Sequence, residues 1–447
     1  MTFCQDFKRM RLKDTRLSNR GTFMIERMQS SPAESFPNLF RNDSELEGAY
    51  RWFSNARVDS DDILRAHSHA SAERARTNGK AIVIHDTTDI EAAKDVGLRA
   101  HFSLAISNAH ERLPLGVVSL VPILRHPQKR KRSGAPREFL RWGQGVRNAR
   151  KALGNTPVVH VSDCETDSYE FMAGLVGDDE KFVLRMRYDR TVSAEEPSKR
   201  IRISTLFEVV SAIAEREVPL GQRRRGNKSH ADLKSHPLRE GRTARLKFSA
   251  QSVVLTRPCH IGASVPKQLN LNVVKVRELE PPEGERPVEW LLITNLSIDT
   301  VEAVLEIVDI YRARWAIEEF FKALKTGCAL EKRQLESQHA LLNATALLVP
   351  LALDLLALRS AARSNEDAPA ESVMSATRLK VLAHFSSYKM PEKPTVRDAM
   401  LAIAKLGGHI KYNGEPGWQV LGRGYEKLIA YESGWVASSF YLPKGKK

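Results

Sequence analysis

The chain has 447 residues, 42% of them hydrophobic and 28% charged, with a net charge of +15 and a pI near 9.6. That length implies two or three domains of a globular protein, and the basic excess favours a polyanionic partner, nucleic acid first. Four scattered cysteines form no CxxC pair, which argues against a zinc site or a disulfide framework and fits a reducing cytosol.

The N-terminus "MTFCQDFKRMRLKDTR" is charged and has no apolar h-region, so it does not read as a secretory signal. Residues 1–70 read as helical. "ELEGAYRWFSNARV" and "DSDDILRAHSHASAERAR" carry helical spacing, with Asp59 or Ser60 as N-cap. The string "KRMRLKDTRLSNR" concentrates basic charge near the start; as a bare sequence feature it also suits a solvated helix face.

At residue 81 the texture changes. "AIVIHD" is short, apolar and β-branched, as buried strands are. "HFSLAIS" and "LGVVSLVPIL" have the same character. A basic loop, "HPQKRKRSGAPR", precedes a helix, "EFLRWGQGVRNARKAL"; then come the strand "PVVHVS", a helix from about Ser168 to Val176, and the strand "KFVLRMR". Residues 190–297 read as a β-rich insertion with basic loops, ending on "VEWLLIT". Helix returns over about 300–363. Its most apolar window, "ALLNATALLVPLALDLLALRS", is broken by Asn343, Pro350 and Asp354 and reads as buried helix, not a membrane span. After the linker "SNEDAPAE" the last part is helical around the loop "LGGHIKYNGEPGW".

Asp86 and Asp163 each close an apolar strand run, "AIVIHD" and "PVVHVSD". A carboxylate there must be paired, hydrogen-bonded or cation-bound, unless it merely caps a helix or turn. Strand ends are also where open α/β sheets place ligands. In "YRARWAIEEFFKALKTG", a 3.6-residue period puts Tyr311, Arg314, Glu318, Lys322 and Lys325 on one stripe. Trp315, Phe320 and Leu324 fall on other faces and can pack; Glu319 is rotated off the stripe. The stripe suits an exposed salt-bridge row, with Arg314 and Lys322 flanking Glu318, or a site. If Asp86, Asp163 and Glu318 converge, three carboxylates need cations, and hard oxygen donors suit Mg²⁺ or Mn²⁺. Two such ions support phosphodiester displacement, with the basic stripe residues on phosphates.

"YRARWAIEEFFKALK" fits the Y-x2-R-x3-E-x6-K signature, and the chain resembles the bacterial cut-and-paste DDE transposases of the IS-four group, which includes the Tn-five transposase. "IHDTT" is similar to that family's first-Asp motif, "SDCETDSYEF" with "FVLR" to its second, and "GAYRWFSN" to its N-terminal domain. The resemblance implies an α/β fold: a ribonuclease-H-like catalytic core with a β-rich insertion, flanked by helical N- and C-terminal domains. It implies a DNA-binding domain over 1–70, a catalytic domain over 71–365 with its insertion at about 190–297, and a dimerisation region over 366–447. It makes Asp86, Asp163 and Glu318 the ligands of two Mg²⁺ or Mn²⁺ ions. Tyr311, Arg314, Lys325 and Arg185 would contact end DNA. Trp290, and secondarily Trp315, would stack on a base flipped out during hairpin formation, recovering ~1–3 kcal/mol. Lys322 joins the DNA-binding stripe. The basic loops at 129–141 and 222–228 are not part of the resemblance; they suit phosphate tracking or a solvated surface. The expected partners are transposon-end and target double-stranded DNA and a second copy of the chain, in the bacterial cytoplasm at the nucleoid. Two other readings share the charge: a catalytically silent DNA-binding derivative, and a metal-dependent nuclease without preference for particular ends.

Overall fold

The computed structural model describes residues 3–30, 34–91, 97–123, 140–194, 200–221, 238–333, 335–410, 412 and 414–441. A 3₁₀ turn, Phe3–Arg9, leads into helices α1 (Thr15–Ser30), α2 (Phe36–Leu39), α3 (Asp43–Phe53) and α4 (Ser60–Asn78). Strands β1 (Ala81–Glu91), β2 (Gly97–Ile106) and β3 (Pro114–Ile123) follow, then α5 (Leu140–Leu153) and β4 (Val158–Ser162). Next come α6 (Tyr169–Gly177), β5 (Lys181–Arg185), β6 (Thr191–Ser193), β7 (Arg200–Arg202), α7 (Ile203–Val209), β8 (Ala214–Leu220), β9 (Arg242–Thr256), β10 (Gln268–Glu278) and β11 (Glu289–Thr294). Helices Val301–Ala313, Trp315–Lys322, Gln338–Ser364, Ala376–Phe385, Val396–Leu406 and Trp418–Tyr441 complete the chain. The class is mixed α/β. The basic loop expected at 222–228 and nearly all of that at 129–141 lie outside the described residues.

Two compact units form. One comprises Met1–Val158 with Ala313–Lys447, the other Val159–Arg312. In the first, caps set the helix starts: Asn42 accepts from Glu45 N–H at 2.9 Å, and Asp59 accepts from Asp61 N–H at 2.9 Å. Gly79, at φ +81°, ends α4 in the left-handed conformation that glycine adopts without strain. β1, β2 and β3 form an antiparallel meander. Its back is covered by α4 and α5 through Ala72, Ala75, Val83, Leu115, Val118, Ala149 and Leu153.

The strand carrying Asp86 runs further than "AIVIHD" suggests. Asp86 sits in mid-strand, because "TTDIE" stays paired to β2 through Glu91. Only the burial changes there, from fully buried to half-buried.

Gln338–Ser364 has the length and hydropathy of a membrane span, but 89% of its apolar window is buried inside the protein. Its polar interruptions are anchors. Asn343 Nδ2 donates to the carbonyls of Phe53 and Val58 at 3.0 and 3.1 Å, and Asp354 Oδ1 accepts from Phe3 N–H at 2.8 Å. Burial pushes the Asp354 carboxyl up to about 7. A carboxyl raised on folding holds its proton more tightly in the native state. The penalty is absent below about pH 4, grows as pH rises to about 7, and reaches at most ~4 kcal/mol. Asp354→Asn keeps an acceptor for Phe3 and should flatten this slope. Urea unfolding at pH 5 and pH 8 checks it; an unchanged pH difference in the variant would remove Asp354 as the cause.

In the second unit, β4 and β5 are parallel, joined through α6. β5 then pairs antiparallel with β11, β11 with β10, and β10 with the long β9. β8 lines one half of β9, and β6 with β7 continues from the other. Among the described residues of 190–297 there are six strands, β6 to β11, and one helix, α7, that the sequence reading lacked. Arg216 of β8 grips Asp309 through two hydrogen bonds of 2.8 and 2.7 Å, tying the insertion to the Val301–Ala313 helix.

Candidate active site

In the first unit, Asp86 shares its β1 face with the direction of Phe102, its partner in β2, whose ring packs on Phe320 and Phe321. Those phenylalanines belong to the Trp315–Lys322 helix, which buries Ala316, Ile317, Phe320 and Phe321 and leaves Glu318 half-buried. Phe320 and Leu324 are fully buried, as their faces predict. Trp315 departs from the packing expected of it: it is 48% exposed, with Lys322 Nζ 5.3 Å from its ring centroid. Lys322 turns to the indole, so among the described residues Arg314, not Lys322, is the stripe cation that pairs with Glu318.

Arg314 draws the two acids together. One guanidinium nitrogen donates to Glu318 Oε1 at 2.5 Å, and the other to Asp86 Oδ2 at 3.4 Å. The i,i+4 spacing foretold the first contact. The second joins residues 228 apart in sequence, which no helical period reveals. All three side chains are mostly buried, with 14%, 18% and 29% exposure for Arg314, Asp86 and Glu318. Asp86 Oδ1 also accepts from Thr87 N–H at 2.7 Å. Glu319, rotated off this cluster, pairs instead with Arg363.

Lys325 sits in a π-helical turn, Ala323–Gly327, directly after the Glu318 helix. Such single turns recur at functional sites. Its Nζ donates to the Asp89 carbonyl of β1 and lies 3.5 Å from Glu331.

In the second unit, Asp163 follows β4 and caps the short turn Cys164–Thr166, accepting from Glu165 N–H at 2.9 Å. The turn is thus what fixes its carboxylate locally. Four residues on, Asp167 is buried and latches the loop after β5. It accepts from the backbone N–H of Arg187 and Tyr188 at 2.7 and 2.9 Å and from Arg190 Nε at 2.9 Å. The reading of "SDCETDS" as a motif covered this residue but gave it no task. Arg185 ends β5, half-buried, opposite Leu292. Trp290 in β11 is half-buried, and its ring meets the buried Tyr311 edge-on at 5.7 Å. Tyr311 therefore supports Trp290 as well as standing on the helix that leads to Arg314.

Among the described residues, no three His, Cys, Asp or Glu side chains form a ready ligand group. The pair on Arg314 is what the first unit assembles by itself.

Two family models match. Residues 3–58 match transposase DNA-binding domains, and residues 163–352 match the transposase DDE domain, together more than half of the chain. The chain belongs to the DDE transposases. In this transposase the DDE match opens on Asp163 and includes Glu318, while Asp86 lies between the two matched ranges. The DNA-binding match spans α1 to α3. There an open hollow is lined by Arg16, Asn19, Arg20, Phe23 and Glu45, and the Arg16 side chain is 95% exposed. DNA is thus a partner of the transposase.

Proposed function

We propose that this transposase is a cut-and-paste enzyme of the IS-four group. It binds the inverted repeats at the ends of its own element, cuts them through a hairpin, and joins the freed ends to target DNA. The pairing of Asp86 with Glu318 on Arg314, in a chain with DNA-binding and DDE domains, carries this reading. Residues 1–70 bind end DNA. Residues 71–365 form a ribonuclease-H-like catalytic domain with its insertion over about 190–297. Residues 366–447 make the homodimer that holds two ends together. The protein acts in the bacterial cytoplasm, at the nucleoid.

Asp86, Asp163 and Glu318 would hold Mg²⁺ or Mn²⁺, two ions per site. The donor set fits: all three are carboxylates, half-buried, and two of them already share one positive charge. Bound ions supply Lewis-acid stabilisation of the attacking and leaving oxygens. The protein's own groups do the rest. Arg314 keeps the two acids from repelling each other before DNA arrives, and its charge faces the same phosphates. Lys325 and Lys322 would add positive charge within the first unit, and Arg185, on β5 of the second, is a further candidate for phosphate contact. Trp290, braced by Tyr311, offers a stacking face to an unpaired base, and the exposed Trp315 offers a second.

The test uses DNA carrying the short inverted repeats that bracket the gene, against the same fragment with scrambled ends, in Mg²⁺. Cleavage confined to the true ends is expected. Equal cleavage of both fragments would make the protein a general nuclease, and DNA binding with no cleavage even in Mn²⁺ would make it a silent derivative.

A further inference from the structure

The face of β1 and β2 turned away from Glu318 is unusual. Side chains alternate along a strand, so Asp86 and Phe102 point to one side, and His85, Thr87, His101 and Ser103 to the other. That second side is covered by α5 through Arg141, Trp142 and Gly145. A sheet face beneath a helix is ordinarily apolar, and each polar group buried there costs stability unless it is hydrogen-bonded. Here two histidines, a serine and a threonine occupy it, and both histidine rings are almost wholly buried.

These groups are connected. The Thr87 hydroxyl accepts from Arg141 Nε at 3.2 Å and meets His101 Nδ1 at 3.1 Å. The His101 ring stacks on His85 at 5.8 Å and meets Trp142 edge-on at 4.6 Å. His85 Nδ1 is 3.0 Å from the Ser103 hydroxyl. Gly145 closes over the set: a Cβ there would stand 2.7 Å from His101 Nε2 and 3.0 Å from Ser103 Oγ. His101 is therefore packed among His85, Trp142 and Gly145 and bonded through Nδ1, with no partner for Nε2 among the described residues, and Thr87 has two partners that fix its rotamer.

We propose that Thr87, His101 and Arg141 are positioning residues for Asp86, clamping its strand from behind so that its carboxylate meets the metal in one orientation. The link is short. The Thr87 side chain is locked by His101 and Arg141 on one face of the sheet, while its backbone N–H donates to Asp86 Oδ1 on the other. Fixing the first fixes the second. Outer partners of this kind are worth about 10–100-fold in metal affinity or activity. The inference rests on the reading of Asp86 as a metal ligand.

Thr87→Val removes the hydroxyl at constant shape, and Thr87→Ser keeps it. Mn²⁺ alone serves as the probe, its affinity read by electron paramagnetic resonance, beside end cleavage and thermal unfolding. Thr87→Val should weaken Mn²⁺ binding and slow cleavage by about 10–100-fold, and Thr87→Ser should restore most of both. Gly145→Ala, which pushes on His101 without touching Thr87, should act in the same direction as Thr87→Val. Wild-type Mn²⁺ affinity in a folded Thr87→Val protein would overturn the proposal, as would a fall in thermal stability with unchanged affinity. A wild type that binds no Mn²⁺ would instead remove Asp86 as a ligand, and this inference with it.

Discussion

Replacing Glu318 by Gln should abolish DNA cleavage and spare DNA binding. The change keeps the shape of the side chain and removes one charge. Its helix is anchored by the buried Ala316, Ile317, Phe320 and Phe321, which the change leaves in place, so the fold should survive. The lost ion pair with Arg314 is mostly buried, at 14% and 29% exposure, so its loss should lower stability measurably, with the remaining Asp86 contact limiting the cost. Catalysis is different. If Glu318 is a metal ligand, a neutral amide cannot replace its carboxylate, and Arg314 would lose one of its two acidic contacts in this cluster while keeping Asp86. A loss of roughly a thousandfold or more in cleavage rate is expected, with little change in the affinity for end DNA. Glu319→Gln is the matched control. Glu319 sits one residue away but pairs with Arg363, so its loss should leave cleavage within a few-fold of wild type. Full cleavage by Glu318→Gln, or equal losses in both variants, would end the assignment of Glu318.

Much of this site was legible because it follows local rules. The spacing of Arg314 and Glu318 announced their contact, and the apolar positions Phe320 and Leu324 announced the buried face. The interruptions Asn343 and Asp354 marked a buried helix, and they turn out to bind backbone groups of the N-terminal helices. Other features depend on pairings that lie far apart in the chain. The extension of β1 past Asp86 is set by its register with β2, not by its own composition. The exposure of Trp315 follows from what does not pack on it. The roles of Thr87 and His101 arise only when β2 lies beside β1 and α5 above both; "HFSLAIS" by itself reads as an ordinary strand. A histidine in an otherwise apolar strand was the one available signal.

Binding to end DNA should weaken steeply and linearly in log affinity against log salt. The slope counts the phosphates neutralised, and about six to ten contacts would cost ~10³–10⁵ in affinity between about 50 and 200 mM salt. The net charge of +15 makes such a slope expected, yet the 69 lysines and arginines are not equivalent. Several are committed inside the fold. Arg190 is held by Asp167, Arg242 by Glu278 and Glu285, and Arg74 by Asp6, all with little exposure. Displacing them from their carboxylates would cost more than a phosphate returns. Others reach solvent, among them Arg16 on α1. Arg16→Ala should therefore lower the slope by about one, uniformly across end sequences if it meets a phosphate, and should leave folding unchanged. Arg190→Ala should do the reverse: an unaltered slope with a clear loss of stability, because Asp167 is buried and would lose its main positive partner. A flat salt dependence in the wild type would refute the charge argument for DNA. Equal slope changes in the two variants would refute the division of the basic residues into structural and DNA-facing sets.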